Sequence, residues 1–229
     1  MRVVLVRHGQ TEMNAHGVYR GRINVSLSAR GIEEARAMGR VLEKAQLDLI
    51  YSSPLNRAIE TAREIASFHP GIAVETAEEF TDMNFGKWQG LSVPEVEMRF
   101  PESYRIWVRR PDQADIACGE NLRVVRKRAL AGLKRIVSLR PEATVVVVSH
   151  GVVNKVLLCA LLGAPVGAFW HVKQDNGALN LLEYSSLGAK VFLMNYVCHL
   201  ASIPRRISDM DHSSTPVGPT TDDERQYDT

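Results

Sequence analysis

RVVLVRHGQTEMN, residues 2–14, and VVVVSHG, residues 145–151, each run a β-branched stretch straight into a histidine-glycine pair. Strands buried on both faces of a parallel sheet read as near-continuous apolar runs, whereas half-exposed strands alternate. The two stretches therefore predict interior strands at 2–6 and 144–148, with polar chain beginning where each strand stops. After the first strand comes a polar loop, RHGQTEMNAHGVYRGRIN, at 7–24.

Working outward, SARGIEEARAMGRVLEKAQ at 28–46 has a helical period, with Ile32, Ala35, Met38, Gly39 and Leu42 on one face. A strand at 47–51 ending in SSPLNRA, a helix at 55–67 and a strand at 72–74 follow. A long basic helix at 121–139, an apolar helix at 152–162 and strands at 178–184 and 190–197 complete the pattern. Residues 80–119 are irregular and hold Trp88, Trp107, Pro94, Pro101 and Pro111, as suits a short cap over strand ends. Strands alternating with helices predict an α/β fold: three α/β/α layers around a mostly parallel central sheet.

The chain has 229 residues, 45% hydrophobic and 24% charged, enough for one sizeable core. No apolar run approaches the roughly 20 residues that span a bilayer, and polar residues interrupt the first ten positions. A cytoplasmic protein with no membrane partner is expected. Cys118, Cys159 and Cys198 are odd in number and lack CxxC spacing, so they predict buried, reduced thiols rather than disulfides or a zinc site.

Net charge is +2, yet residues 208–229 hold six acids against Arg225 alone. Without that segment the 28 basic and 26 acidic residues become 27 and 20, a surplus of +7. Such a surplus suits nucleic acid, a membrane surface or small anions. No basic block with interleaved aromatics appears, so no nucleic-acid partner is expected. Arg123, Arg126, Lys127, Arg128, Lys134 and Arg135 read as the solvated face of the long helix.

Four polar points fall just beyond predicted strand ends: Arg7 with His8, Arg57, Asp82, and His150. In an open α/β sheet, ligands bind in the crevice outside the carboxyl ends of the strands. Two arginines and two histidines in one crevice suit a phosphoryl group, because guanidinium forks grip non-bridging oxygens while a neutral imidazole attacks phosphorus. No metal or other cofactor is required.

RHGQTEMN at 7–14, YSSPLNRAIETA at 51–62, DMNFGKWQG at 82–90 and VVSHG at 147–151, in this order, resemble the histidine phosphatase superfamily, the phosphoglycerate-mutase-like group. The resemblance spans roughly residues 1–200, expected to form one catalytic domain, with a polar acidic tail at 201–229. It implies that His8 is the phosphorylated nucleophile and that Arg7, Arg57 and His150 clamp the phosphate. Thr11 and Asn14 match supporting positions. The family's usual acid is a glutamate in a pattern like LREIDFGxWEG. Here Asp82 takes that position, and Thr81 stands where arginine is common.

Aspartate is one methylene shorter than glutamate and about 0.4 pH units more acidic. Glu78 and Glu79 are the alternative proton donors. Arg20 stands where glutamine is frequent, Asn24 where aspartate is usual and Ser26 where proline is common. Arg20 and Arg22 are expected to face a second anionic group of a small phosphorylated substrate, with Asn24 on the same rim. The resemblance implies a phosphomonoester hydrolase. The alternatives are a phosphoglycerate mutase and a non-catalytic phospholigand-binding module. Asp82 and Gly119 are only 37 positions apart, a short excursion that favours access of water and hydrolysis. The last strands and tail are the expected contact for a homodimer.

Overall fold

The computed structural model describes residues 1–185 and 188–203. Six strands, β1 (Arg2–Arg7), β2 (Leu49–Ser52), β3 (Val74–Thr76), β4 (Thr144–Ser149), β5 (Leu179–Ser185) and β6 (Gly188–Tyr196), form one sheet in the order β3-β2-β4-β1-β5-β6. The pairs β3–β2, β2–β4 and β4–β1 are parallel; β5 is antiparallel to both of its neighbours, so it alone is reversed.

The Val/Leu runs of β1 and β4 are buried because both faces of the sheet are covered. Val3, Leu5, Val145 and Val147 face one layer, formed by α6 (Leu122–Leu139) and α7 (Gly151–Leu161). Val4, Val6, Val146 and Val148 face the other, where α2 (Ala29–Leu42) and α3 (Asn56–Ala66) lie. The three-layer α/β/α reading holds. The irregular stretch contains α4 (Val93–Arg99) and α5 (Pro101–Arg109), and its Trp88 and Trp107 are fully buried in the same core as α6.

Predicted boundaries shift where side chains or turns take over from the ladder. Asp48 uses its carboxylate to accept the Thr144 N–H at 2.7 Å, so regular pairing of β2 starts at Leu49. Ile72 still closes the turn after α3, donating to His69 O at 3.1 Å, so β3 begins at Val74. A one-turn helix, α1 (Glu12–Ala15), sits inside the loop expected to be irregular. Of the cysteines, only Cys159 is buried; Cys118 and Cys198 are exposed, and all three are free. The tail expected from residue 201 does not leave the body at once: Leu200 and Ile203 pack with Ala37 of α2. The remainder, 204–229, lies outside the described residues. Among the described residues, no helix is long and apolar enough to cross a membrane.

The loop after β1 is pinned by two backbones in contact. A Cβ on Gly9 would stand 2.4 Å from Gly31 O, and one on Gly31 would stand 2.0 Å from Gln10 O. Ser28, the N-cap of α2, donates from its backbone to Gln10 O at 2.9 Å and closes the same neck. Gly31→Ala drives a methyl into backbone that has no flexible end to move. It should cost roughly 1–3 kcal/mol and lower the melting temperature by several degrees, at about 2–4 °C per kcal/mol for a chain of this size. Thermal denaturation checks this, and an unchanged midpoint would mean that the neck relaxes freely.

Candidate active site

The register of β1 against β4 pairs Arg7 with Ser149, so the next residues, His8 and His150, leave the sheet side by side. Their rings lie 5.1 Å apart, centroid to centroid, and both are fully buried. The helix after β1 covers one face of the sheet and the helix after β4 the other. The crevice opens at that switch point.

His8 Nδ1 lies 2.6 Å from Gly9 O. A carbonyl only accepts, so Nδ1 carries the proton and Nε2 carries the lone pair in the neutral ring. Nε2 is buried and has no hydrogen-bond partner among the described residues. Burial, followed by the positive charges of Arg57, Arg7 and Arg20, holds the ring well below the usual histidine range. A neutral imidazole with its free nitrogen in a cationic pocket can attack phosphorus.

His150 is the N-cap of α7. Its Nε2 lies 2.7 Å from Ser53 Oγ, and its Nδ1 lies 3.6 Å from Asp82 Oδ2. Burial and then Arg57 depress its proton affinity as well. The Ser53 N–H donates to Val148 O at 2.9 Å, extending the β2–β4 ladder by one residue and carrying that hydroxyl to the ring.

Arg57, near the start of α3, is fully buried. Its Nη1 donates to Ile23 O at 2.9 Å, and its Nη2 donates to Gly21 O at 2.8 Å and Asp82 Oδ2 at 3.0 Å. Nε has no partner among the described residues, so a donor remains for an oxyanion. Arg7 donates through Nη1 to Gln174 O. Its guanidinium lies over Gly151, where a Cβ would come within 3.3 Å of Nε. The glycine after His150 thus leaves room for the arginine before His8.

Asp82 is buried, with Oδ1 accepting the Met83 N–H at 2.9 Å and Oδ2 accepting Arg57. The alternative acids point elsewhere. Glu79 pairs with Arg135 at 2.9 Å, and Glu78 is exposed and accepts Thr81 Oγ1 at 3.1 Å.

Thr11 caps α1 and forms a reciprocal box with Asn14: Thr11 N–H donates to Asn14 Oδ1 at 3.0 Å, and Asn14 N–H donates to Thr11 Oγ1 at 3.2 Å. Asn14 Oδ1 accepts Asn176 Nδ2 at 3.3 Å, while its own Nδ2 is buried without a partner among the described residues. Another donor is therefore offered in the first loop. Arg20 is half-buried and lowers the proton affinity of both histidines, which places its charge at the pocket.

Arg22 and Asn24 stand further out. Arg22 is exposed and pairs with Glu120 at 3.4 Å; Asn24 accepts the Asn56 N–H at 2.8 Å and so steadies the start of α3.

Several partners escaped the sequence reading. Ser53 lies within the quoted SSPLNRA, two residues past a predicted strand, and that position was a usable signal. Thr61 Oγ1 accepts the Gly9 N–H at 3.1 Å, and Glu34 accepts the Gln10 N–H at 2.8 Å; both lie on helices whose periodicity does not single them out. Gln174 sits in an irregular loop with no pattern at all. Arg128, read as part of a solvated face, instead turns inward onto the carbonyls of Glu79, Thr81 and Asp82.

Comparison with known proteins gives the family of the chain. A sequence model of the histidine phosphatase superfamily (branch 1) matches residues 3–197. Phosphoserine phosphatase 1 of Hydrogenobacter thermophilus is 34% identical over 200 residues, covering 87% of this chain and 94% of that protein. The adenosylcobalamin/alpha-ribazole phosphatase of Escherichia coli is 30% identical over 195 residues, covering 85% and 96%. The solved structure of YhfR from Bacillus stearothermophilus superposes with a TM-score of 0.83 at 27% identity, covering 87% of this chain and 98% of that one. A family model matched over residues 3–197 means that the chain belongs to the histidine phosphatase superfamily, branch 1.

Proposed function

We propose that this phosphatase works by transferring the phosphoryl group of a small phosphomonoester to His8 Nε2 and then to water. The observation that carries the reading is the locked tautomer of His8: Gly9 O takes Nδ1–H and leaves Nε2 bare beside His150. In this reading the oxygens of the dianion meet Arg57 Nε, Arg7, Asn14 Nδ2 and the His150 ring, where oriented cations neutralise charge that develops during transfer. Asp82 delivers a proton to the leaving alkoxide and takes one from the attacking water in the second half-reaction.

We take residues 1–200 as the catalytic unit and Arg20 as the residue that faces a second anionic group on the substrate, with Arg22 and Asn24 shaping the outer rim. The two curated relatives named above are phosphatases, and no feature of the site favours the mutase or the non-catalytic binding module over hydrolysis. The homodimer contact is assigned to β6, an edge strand on which Phe192, Leu193 and Met194 are exposed. Phe192→Asp should then shift the sedimentation coefficient toward monomer without lowering turnover. A wild-type protein that is monomeric at assay concentrations would remove that contact.

With EDTA present, the protein should release phosphate from p-nitrophenyl phosphate, and His8→Ala should reduce kcat by at least a thousandfold, the scale lost when a nucleophile is removed. Equal rates from the two proteins would eliminate His8.

The depressed proton affinities of the two histidines also set a pH dependence of stability. Below about pH 6.5 an unfolded histidine binds a proton, whereas buried His8 and His150 stay neutral. The unfolded state then holds more protons, so stability rises with pH up to that point and falls as pH drops through it. The melting temperature should decline between pH 7.5 and pH 5, and His8→Asn should flatten part of the decline. A profile identical to wild type in that variant would argue against a neutral buried His8.

A further inference from the structure

Arg128 lies on α6, outside every motif that points to the catalytic crevice. A guanidinium has five N–H donors, and here each has an acceptor. Nε donates to Glu120 Oε1 at 2.9 Å; Nη1 to Glu79 O at 2.9 Å and Thr81 O at 2.5 Å; Nη2 to Asp82 O and Glu120 Oε2, both at 3.1 Å. Glu120 carries the grip two residues further, accepting the Asn84 N–H at 2.9 Å and donating its own N–H to Asn84 O at 2.8 Å. Ser149 Oγ, at the end of β4, fixes Phe80 O at 2.7 Å. The backbone from 79 to 84 is therefore tied at nearly every residue to α6, to Glu120 and to the strand that presents His150.

Asp82 has one methylene less than the acid usual at its position, so the placement of its Cα decides whether its carboxyl reaches the leaving oxygen. Rate depends steeply on such placement, and a displacement near 1 Å can cost about a hundredfold. We infer that Arg128, with Glu120, is a positioning residue that sets the backbone beneath Asp82, and that its contribution to rate is confined to substrates whose leaving group needs a proton. The inference rests on the reading of Asp82 as the proton donor.

Arg128→Lys keeps the positive charge and loses the planar fork, which one ammonium cannot reproduce. The measurement is kcat/KM on p-nitrophenyl phosphate and on the best alkyl phosphate from a metabolite panel. It is made for wild type, Arg128→Lys, Asp82→Asn and the double variant, with Ki for inorganic phosphate beside it. The ratio between the two substrates is independent of the folded fraction, so loss of stability in Arg128→Lys does not obscure the result.

Arg128→Lys is expected to lower kcat/KM on the alkyl ester at least tenfold more than on the aryl ester, with Ki for phosphate within twofold of wild type. The double variant should be no slower on the alkyl ester than Asp82→Asn alone, because two changes that act through one group are not additive. Equal losses on both esters, or full additivity in the double variant, would overturn the inference while leaving a selective Asp82→Asn effect intact. If Asp82→Asn itself slows both esters equally, Asp82 is not the proton donor and the role of Arg128 falls with it.

Discussion

Parallel pairing of β1 with β4 ends two buried strands at one level, and each strand hands its next residue to the crevice as a histidine. Every other part of the site is arranged around that pair. The ladder from β2 to β4 brings Ser53 to the far side of His150, α3 starts where Arg57 can enter beneath both rings, and the Phe80–Asp82 segment hangs from the last residue of β4. A slip of one residue would turn the apolar side chains of β1 from one core to the other. The packing on both faces of the sheet therefore holds the two imidazoles together as firmly as any bond within the site.

Among the described residues, several guanidinium groups converge on the two histidines. Arg7, Arg57 and Arg20 bear on His8, and the carboxylate inside the cluster is that of Asp82. Burial and nearby guanidinium groups keep the histidines neutral, so that one imidazole can act as nucleophile. The same charges that would hold the substrate thus set the protonation state that the chemistry needs.

Much of this was legible in the sequence because it depends on local patterns with few physical solutions. Continuous valine runs ending in His-Gly specify buried strands with polar chain at their ends, and the ordered motifs located Arg7, His8, Arg57, Asp82 and His150. The supporting contacts were not legible. Arg128 reads as a member of a basic face and Glu34 is not among the residues of its helix's apolar face, and only the direction each side chain takes in three dimensions separates a solvated charge from a buried one. The strand shifts at Leu49 and Val74 arise from a side chain and a turn that compete with the ladder, and hydropathy does not register such competition. Cys159 is buried as expected, but Cys118 and Cys198 were misjudged, because both lie outside the periodic segments that report on burial.

The crossing of Gly9 and Gly31, together with the bond from Ser28 to Gln10, seals the base of the arc that carries residues 10–28. A closed base fixes both ends of the arc, and within it the carbonyls of Gly21 and Ile23 stay on Arg57. An exposed position on the arc such as Arg22 can then be exchanged, and the arc lengthened there at little entropic cost, with the neck still closed. A fixed neck with a variable tip lets the rim change while the grip on Arg57 stays.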